Sequence, residues 1–140
     1  MLGMRKYPRK YIEAAEAKVD ADVAAFKKLA AAARKSGARE RALDPLETAY
    51  FNNMVLVLDH LFVHRLRTVE GKDGNAMNEV RVLGDSIMVN GGRMTPDASI
   101  KLTAANSVLG YDKGNEIKVK EADFVQLAKA FFAEIEEKFV

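Results

Sequence analysis

The stretch from Asp44 to Glu70 constrains this chain most, because it is the longest apolar-rich run and holds both histidines, His60 and His64. Asp44 suits an N-cap, Pro45 the first helical position, and Glu47 completes a capping-box-like start. Neither proline nor glycine then interrupts until Gly71, which with Gly74 supplies helix-ending positions. The spacing therefore predicts one helix from Asp44 or Pro45 to about Glu70, roughly 37 Å long at 1.5 Å per residue.

At 100° per residue one broad arc of that helix collects Val57, Tyr50, Leu61, Met54, Leu58, Phe51, Phe62, Val55 and Leu66, a core-facing surface. The opposite arc collects Asp59, Asn52, Arg67, His60, Asn53 and His64, yet Ala49, Leu56 and Val63 fall inside it. Such a helix is expected to be buried on one side and half covered on the other, by another helix or by a second copy of the chain. Asn52 and Asn53 then need partners across that contact, since buried amides must be hydrogen-bonded. The charges and histidines around Met54–Leu58 exclude a membrane span from this stretch.

The other segments read as helices of ordinary length. From Pro8 or Arg9 to about Lys35 a stripe of Ile12, Ala15, Val19, Val23, Phe26, Ala30 and Ala33 recurs at three- and four-residue steps. Ser36 and Gly37 end it, and Ala38 to Leu43 reads as a loop or one helical turn. A third helix begins at Asn75 or Asn78, carries Met77, Val80, Leu83, Gly84, Ile87 and Met88, and closes at Asn90-Gly91-Gly92. From Met94 to Lys120 the period changes to alternation at Ile100/Leu102 and Ile117/Val119, with a turn at Asp112–Asn115, which predicts two short strands or an extended lid. The last helix, about Glu121 to Phe139, has a clean stripe of Phe124, Leu127, Ala128, Phe131, Phe132, Ile135 and Phe139. The fold class expected is mainly α: a single domain over residues 1–140, a bundle of four principal helices with a short β-like insertion between the third and fourth.

At 140 residues the chain can bury a core without staples, and with no cysteine it can form neither disulfides nor thiolate metal sites. The basic start, Arg5, Lys6, Arg9 and Lys10, is followed by charged helix and not by an apolar signal core, so the cytoplasm is the expected compartment. A balance of 22 basic against 20 acidic residues, +2, implies neither nucleic acid nor an anionic membrane as partner. Tyr7 and Tyr11 interleave the basic residues, a pattern read as a solvated, frayed end in preference to a nucleic-acid arm.

Two constellations carry chemistry. His60 and His64, spaced i and i+4, would share one helix face, as a metal pair does. A third ligand would have to be a carboxylate such as Asp59, Asp85, Glu79 or Glu134, and the general base of an HExxH motif is missing. No metal site is therefore expected, and the residues identify no cofactor. The second constellation is Arg65, Arg67, Glu70, Lys72, Asp73, Asn75, Asn78, Glu79 and Arg81 around a glycine-containing turn. It reads first as a structural salt-bridge network in which Glu70 and Glu79 neutralise the arginines, and second as an anion site at the start of the third helix. The candidate ligand-binding residues are His60, His64, Arg65, Arg67, Lys72 and Arg81; no serine has a nucleophile's context.

At Tyr50–Leu56, Phe62–Arg65, Val69–Asn75 and Asp123–Phe139 the chain resembles a family of short uncharacterised bacterial proteins with no assigned activity or cofactor. The helical plan is also similar to that of the DinB-like metal bundles, whose three-histidine set two histidines do not complete. The expected function is that of a non-enzymatic cytoplasmic protein that self-associates as a homodimer through the central helix or the Ala-rich first helix. The alternative is a protein that binds a small anionic ligand, or a metal-dependent one, on the polar face of the central helix.

Overall fold

One-sided stripes made the first and last helices legible, and the computed structural model of the protein, which describes residues 3–37 and 40–140, contains both where the periodicity puts them. Helix α1 runs Arg9–Lys35 and buries Ile12, Ala15, Val19, Val23, Phe26 and Ala30. The last helix, α5, runs Glu121–Lys138 and buries Phe124, Leu127, Ala128, Phe131, Phe132 and Ile135. Between them lie α2 (Glu40–Leu61), the single turn α3 (Arg67–Glu70) and α4 (Ala76–Val89). The four long helices form a bundle in which α2, α4 and α5 pack on one another and α1 lies along α2 and α5. No helix of the described residues is long and apolar enough to cross a membrane.

Helix α2 departs from expectation at both ends. It begins at Glu40, before Asp44, and Pro45 lies inside it. Ala38 and Arg39, part of the expected loop, lie outside the described residues. Asp44 sits 3.5 Å from Lys120 Nζ in an exposed ion pair. At the other end α2 stops at Leu61, because its last carbonyls find partners other than a continuing helix. Phe62 and Val63 N–H donate to Asp59 and His60 carbonyls in a tight turn. The Tyr11 hydroxyl donates to the Leu61 carbonyl, and the Arg65 guanidinium folds back onto the carbonyls of Asp59 (3.4 Å) and Phe62 (3.1 Å). A cation over a helix C-terminus satisfies orphan acceptors and opposes the helix dipole. The rod from Asp44 to Glu70 is thus two helices with a capped corner between them.

The most enclosed helix is α4. It buries Ala76, Met77, Asn78, Glu79, Val80, Val82, Leu83, Gly84 and Ser86, most of its circumference. Asn75 caps it, its side chain accepting from Asn78 N at 3.0 Å. The connection from Asn90 to Lys120 wraps its outer side. Glu79 accepts from the N–H groups of Val108 (2.7 Å) and Leu109 (2.9 Å), and Ser86 Oγ accepts from Thr95 N at 3.0 Å. At Gly74 (φ 90°) a Cβ would overlap the Lys101 carbonyl, so this turn and the wrapping segment meet backbone to backbone.

Of the two expectations for this connection, strands or an extended lid, the strands are absent: its described part has one isolated antiparallel bridge, Arg93 with Glu116, in an otherwise irregular segment. The alternation at Ile117 and Val119 is real, since both point inward at 2 % and 0 % exposure. Their partner is a side chain. Asn52 donates from Nδ2 to Ile117 O (2.9 Å) and accepts at Oδ1 from Val119 N (3.0 Å), standing in for a neighbouring strand. From Met4 onward the N-terminal segment is packed against the bundle and not frayed. Met4 pairs with the His64–Leu66 backbone, Tyr7 N donates to Phe139 O at 2.7 Å, and the buried Tyr7 ring meets Phe62 edge-on at 4.8 Å between centroids. The aromatic rings give this segment the buried area that its basic neighbours concealed.

Candidate functional site

The polar constellation closes into a lattice around Glu70, whose side chain is fully buried at the end of α3. Arg65 Nε donates to Glu70 Oε1 at 2.8 Å; Arg81 donates to Oε1 at 2.5 Å and to Oε2 at 3.1 Å. Asn78 Nδ2 donates to Oε2 at 2.8 Å and to Gly71 O at 3.0 Å, while Asn78 Oδ1 accepts from Gly74 N. A carboxylate offers about four acceptor directions, and Glu70 has all of them filled. Arg65 is equally saturated: besides Glu70 it serves Asp59 Oδ1 (2.8 Å) and the carbonyls of Asp59, Phe62 and Met77. That uses the five N–H groups of a guanidinium, and the group also lies 5.5 Å from the Phe131 ring centroid. Burial alone would raise the Glu70 pKa, but the Arg81 hydrogen bond and the two guanidinium charges outweigh it and hold the carboxyl below its usual value.

The six sequence-predicted binding residues are therefore not one site. Arg65 and Arg81 belong to the lattice, where Arg65 has no donor left over. Arg67 and Lys72 are exposed. His60 and His64 are both exposed and do not share a helix face, because α2 ends between them. Among the described residues no three histidines or carboxylates gather closely enough to hold a metal ion. Glu79 does not neutralise an arginine as the spacing suggested; burial raises its pKa, and the two N–H groups of the wrapping segment only partly offset this. Asp59, reached only because Arg65 folds back onto α2, was outside the sequence cluster that predicted the network.

The histidine that does line a concavity is His60. Between α2, α4 and the middle of α1 lies a groove of about 570 Å³ lined by Leu56, Val57, Leu61, Val63, Gly84 and Met88 and by the polar Lys18, Asp59, His60 and Asp85. Large apolar side chains stand out around it: Met88 is 67 % exposed, the adjacent Val89 76 %, and Val63 43 %. Met88 was expected in the stripe of the third helix, but its neighbours stop covering that stripe at Ile87, which is half buried. Gly84 lies mid-helix at the groove, where glycine costs about 1 kcal/mol relative to alanine. The fold does not demand it, since an added Cβ would meet only Leu56 Cδ2, at an ordinary 3.6 Å. Burial and the neighbouring Asp59 carboxylate raise the Asp85 pKa, with Arg81 and Arg67 opposing. The groove thus has an apolar floor, a small residue on its wall, protruding apolar groups, and both signs of charge in its lining. No family model, no curated protein and no solved structure matches the chain.

Proposed function

We propose that this is a non-enzymatic, cytoplasmic assembly protein that pairs with a second copy of itself through the α2–α4 face. The observation that supports the reading best is the exposure of Met88 and Val63 on one apolar groove, with Val89 exposed next to Met88 in the chain. Clustered apolar surface rimmed by polar groups marks interaction sites, and a two-fold contact requires a surface complementary to itself. Groups of both signs line this groove, Lys18 and Asp85 among them, as a self-complementary contact would need. A stable pair needs about 800 Å² from each partner, roughly a tenth of the 8170 Å² surface of this chain. The saturated lattice weighs against the anion-binding alternative, since Arg65 would have to break buried bonds to reach a ligand.

Sedimentation velocity tests the reading. The wild type is expected at twice the 15.5 kDa chain mass at tens of micromolar, and Met88→Asp at the monomer mass with unchanged helicity by circular dichroism. A wild type that stays monomeric throughout that range overturns it.

A further inference from the structure

Residues 102–113 of the wrapping connection are held quite differently from the residues on either side of them. Before them Ile100 is buried, and Lys101 N donates to Lys72 O at 2.9 Å. After them Gly114 N donates to Met94 O and Ile117 N to Gly92 O, both at 2.8 Å. Between these anchors no residue is buried, and Leu102, Leu109 and Tyr111 cover the core only in part. Bonds within the connection keep the segment in shape: Thr103 N donates to Asn106 Oδ1 (2.7 Å), Gly110 N to Ser107 Oγ (2.8 Å) and Lys118 N to Tyr111 Oη (3.0 Å). Among the described residues the one helix group that hydrogen-bonds residues 102–113 is the Glu79 carboxylate, through the N–H groups of Val108 and Leu109.

That carboxylate is 2 % exposed, yet among the described residues no cation lies within ion-pair distance of it. Arg81, two residues on, is about 200° further around α4 and is bound to Glu70. On α2, Asp59 is held by Arg65, Glu47 accepts from Glu121 N and His60 lines the α2–α4 groove. From α5 comes Asp123, which accepts from Lys120 N and is itself an anion. On the segment stands Tyr111: burial raises its pKa, the Lys118 N–H opposes, and the charges of Asp123 and Glu79 raise it further, so the hydroxyl stays neutral. Glu70, as deeply buried, has two guanidinium groups and a lowered pKa; Glu79 has two neutral N–H groups, and burial raises its pKa against them. With residues 102–113 in place an ionised Glu79 is kept from water without a counter-charge, whereas lifting them hydrates it.

We propose that residues 102–113 are a lid, hinged at their two anchored ends and latched to α4 by Glu79, which opens without unfolding of the bundle as pH rises and that carboxyl loses its proton. Opening uncovers Glu79 and the apolar surface beneath Leu102, Leu109 and Tyr111. Acid shuts the lid, because the closed state holds the proton more tightly than the open one. The test is native-state amide exchange of the full chain by NMR, expressed at each pH as protection relative to the intrinsic rate. Protection at Val108 and Leu109 is expected to fall above the ordinary glutamate value of 4.5, by up to about tenfold per pH unit, the slope of one proton, and to level off once the closed state has ionised. Leu83 on α4 and Leu127 on α5, both in the core, should stay more protected throughout, as opening short of global unfolding requires. In Glu79→Gln, which cannot ionise, protection at Val108 and Leu109 should not vary with pH. Protection at these two amides that is constant or rises from about pH 4.5 to about pH 8, or that equals protection at Leu127, would overturn the proposal, as would a wild-type slope in Glu79→Gln. The wild-type series decides by itself where the variant fails to fold.

Discussion

Replacing Glu70 by glutamine keeps the shape of the lattice and removes its only fully buried negative charge. Two guanidinium groups would then face a neutral amide: Arg65, whose side chain is fully buried, and Arg81, whose side chain is 18 % exposed. The glutamine NH₂ would also point donors at donors, whichever way it turned. Breaking a buried ion pair by removing one partner costs about 3–5 kcal/mol, a large share of the roughly 5–15 kcal/mol that holds a domain folded. For a chain of this length that corresponds to a fall in Tm of roughly 10–20 °C. Thermal and urea unfolding followed by circular dichroism, at one protein concentration because pairing adds stability by mass action, would measure it. The pH dependence has a definite sign. The folded pKa of Glu70 lies below the ordinary glutamate value of 4.5, so its contribution is complete above that value and is lost as pH falls through the folded pKa. The gap between wild type and Glu70→Gln should therefore be widest at neutral pH and narrow in acid. A variant within about 3 °C of wild type at neutral pH, equivalent to roughly 1 kcal/mol, would refute the reasoning that the lattice is a closed structural element.

Glu79 should behave in the opposite sense. Its folded pKa is raised above 4.5 by burial, so its contribution is complete below that value and diminishes as pH rises through the folded pKa. The stability of wild type relative to Glu79→Gln, measured by urea unfolding, should decline over that interval; a rise would show that the Val108 and Leu109 N–H groups dominate. Gly84→Ala separates folding from assembly. On the monomeric Met88→Asp background it should raise stability by about 1 kcal/mol through helix propensity, while on the wild-type background it should weaken self-association seen by sedimentation. Unchanged association would remove Gly84 from the interface.

Much of this arrangement was legible because α1 and α5 each bury a single stripe, and a 3.6-residue period with one covered side is the pattern that spacing reads best. The polar density from Arg65 to Arg81 likewise announced a network. Its wiring was not legible, because Asp59 enters only through the reversal of Arg65, and Glu79 is directed at a backbone segment some 30 residues away in sequence. The end of α2 was missed for a related reason: a long side chain caps it from the following turn, without glycine or proline to mark the place. Pro45 misled in the other direction, being tolerated within the second turn after Glu40 although it is commonest at the first position. Ile117 and Val119 alternate as a strand does, but the paired strand is replaced by Asn52, and no local pattern distinguishes a side-chain amide from a backbone one as the partner.

The central claim, that the exposed α2–α4 face is covered by a second copy, is tested most directly by amide hydrogen exchange of the wild type at several protein concentrations. Residues 56–63 and 84–89 should become more protected as concentration rises through the pairing range, while exchange at Phe124–Ile135 on α5, which lines no part of that groove, stays constant. Exchange at 56–63 and 84–89 that is independent of concentration, at levels where the proposed pair should be populated, would contradict the account.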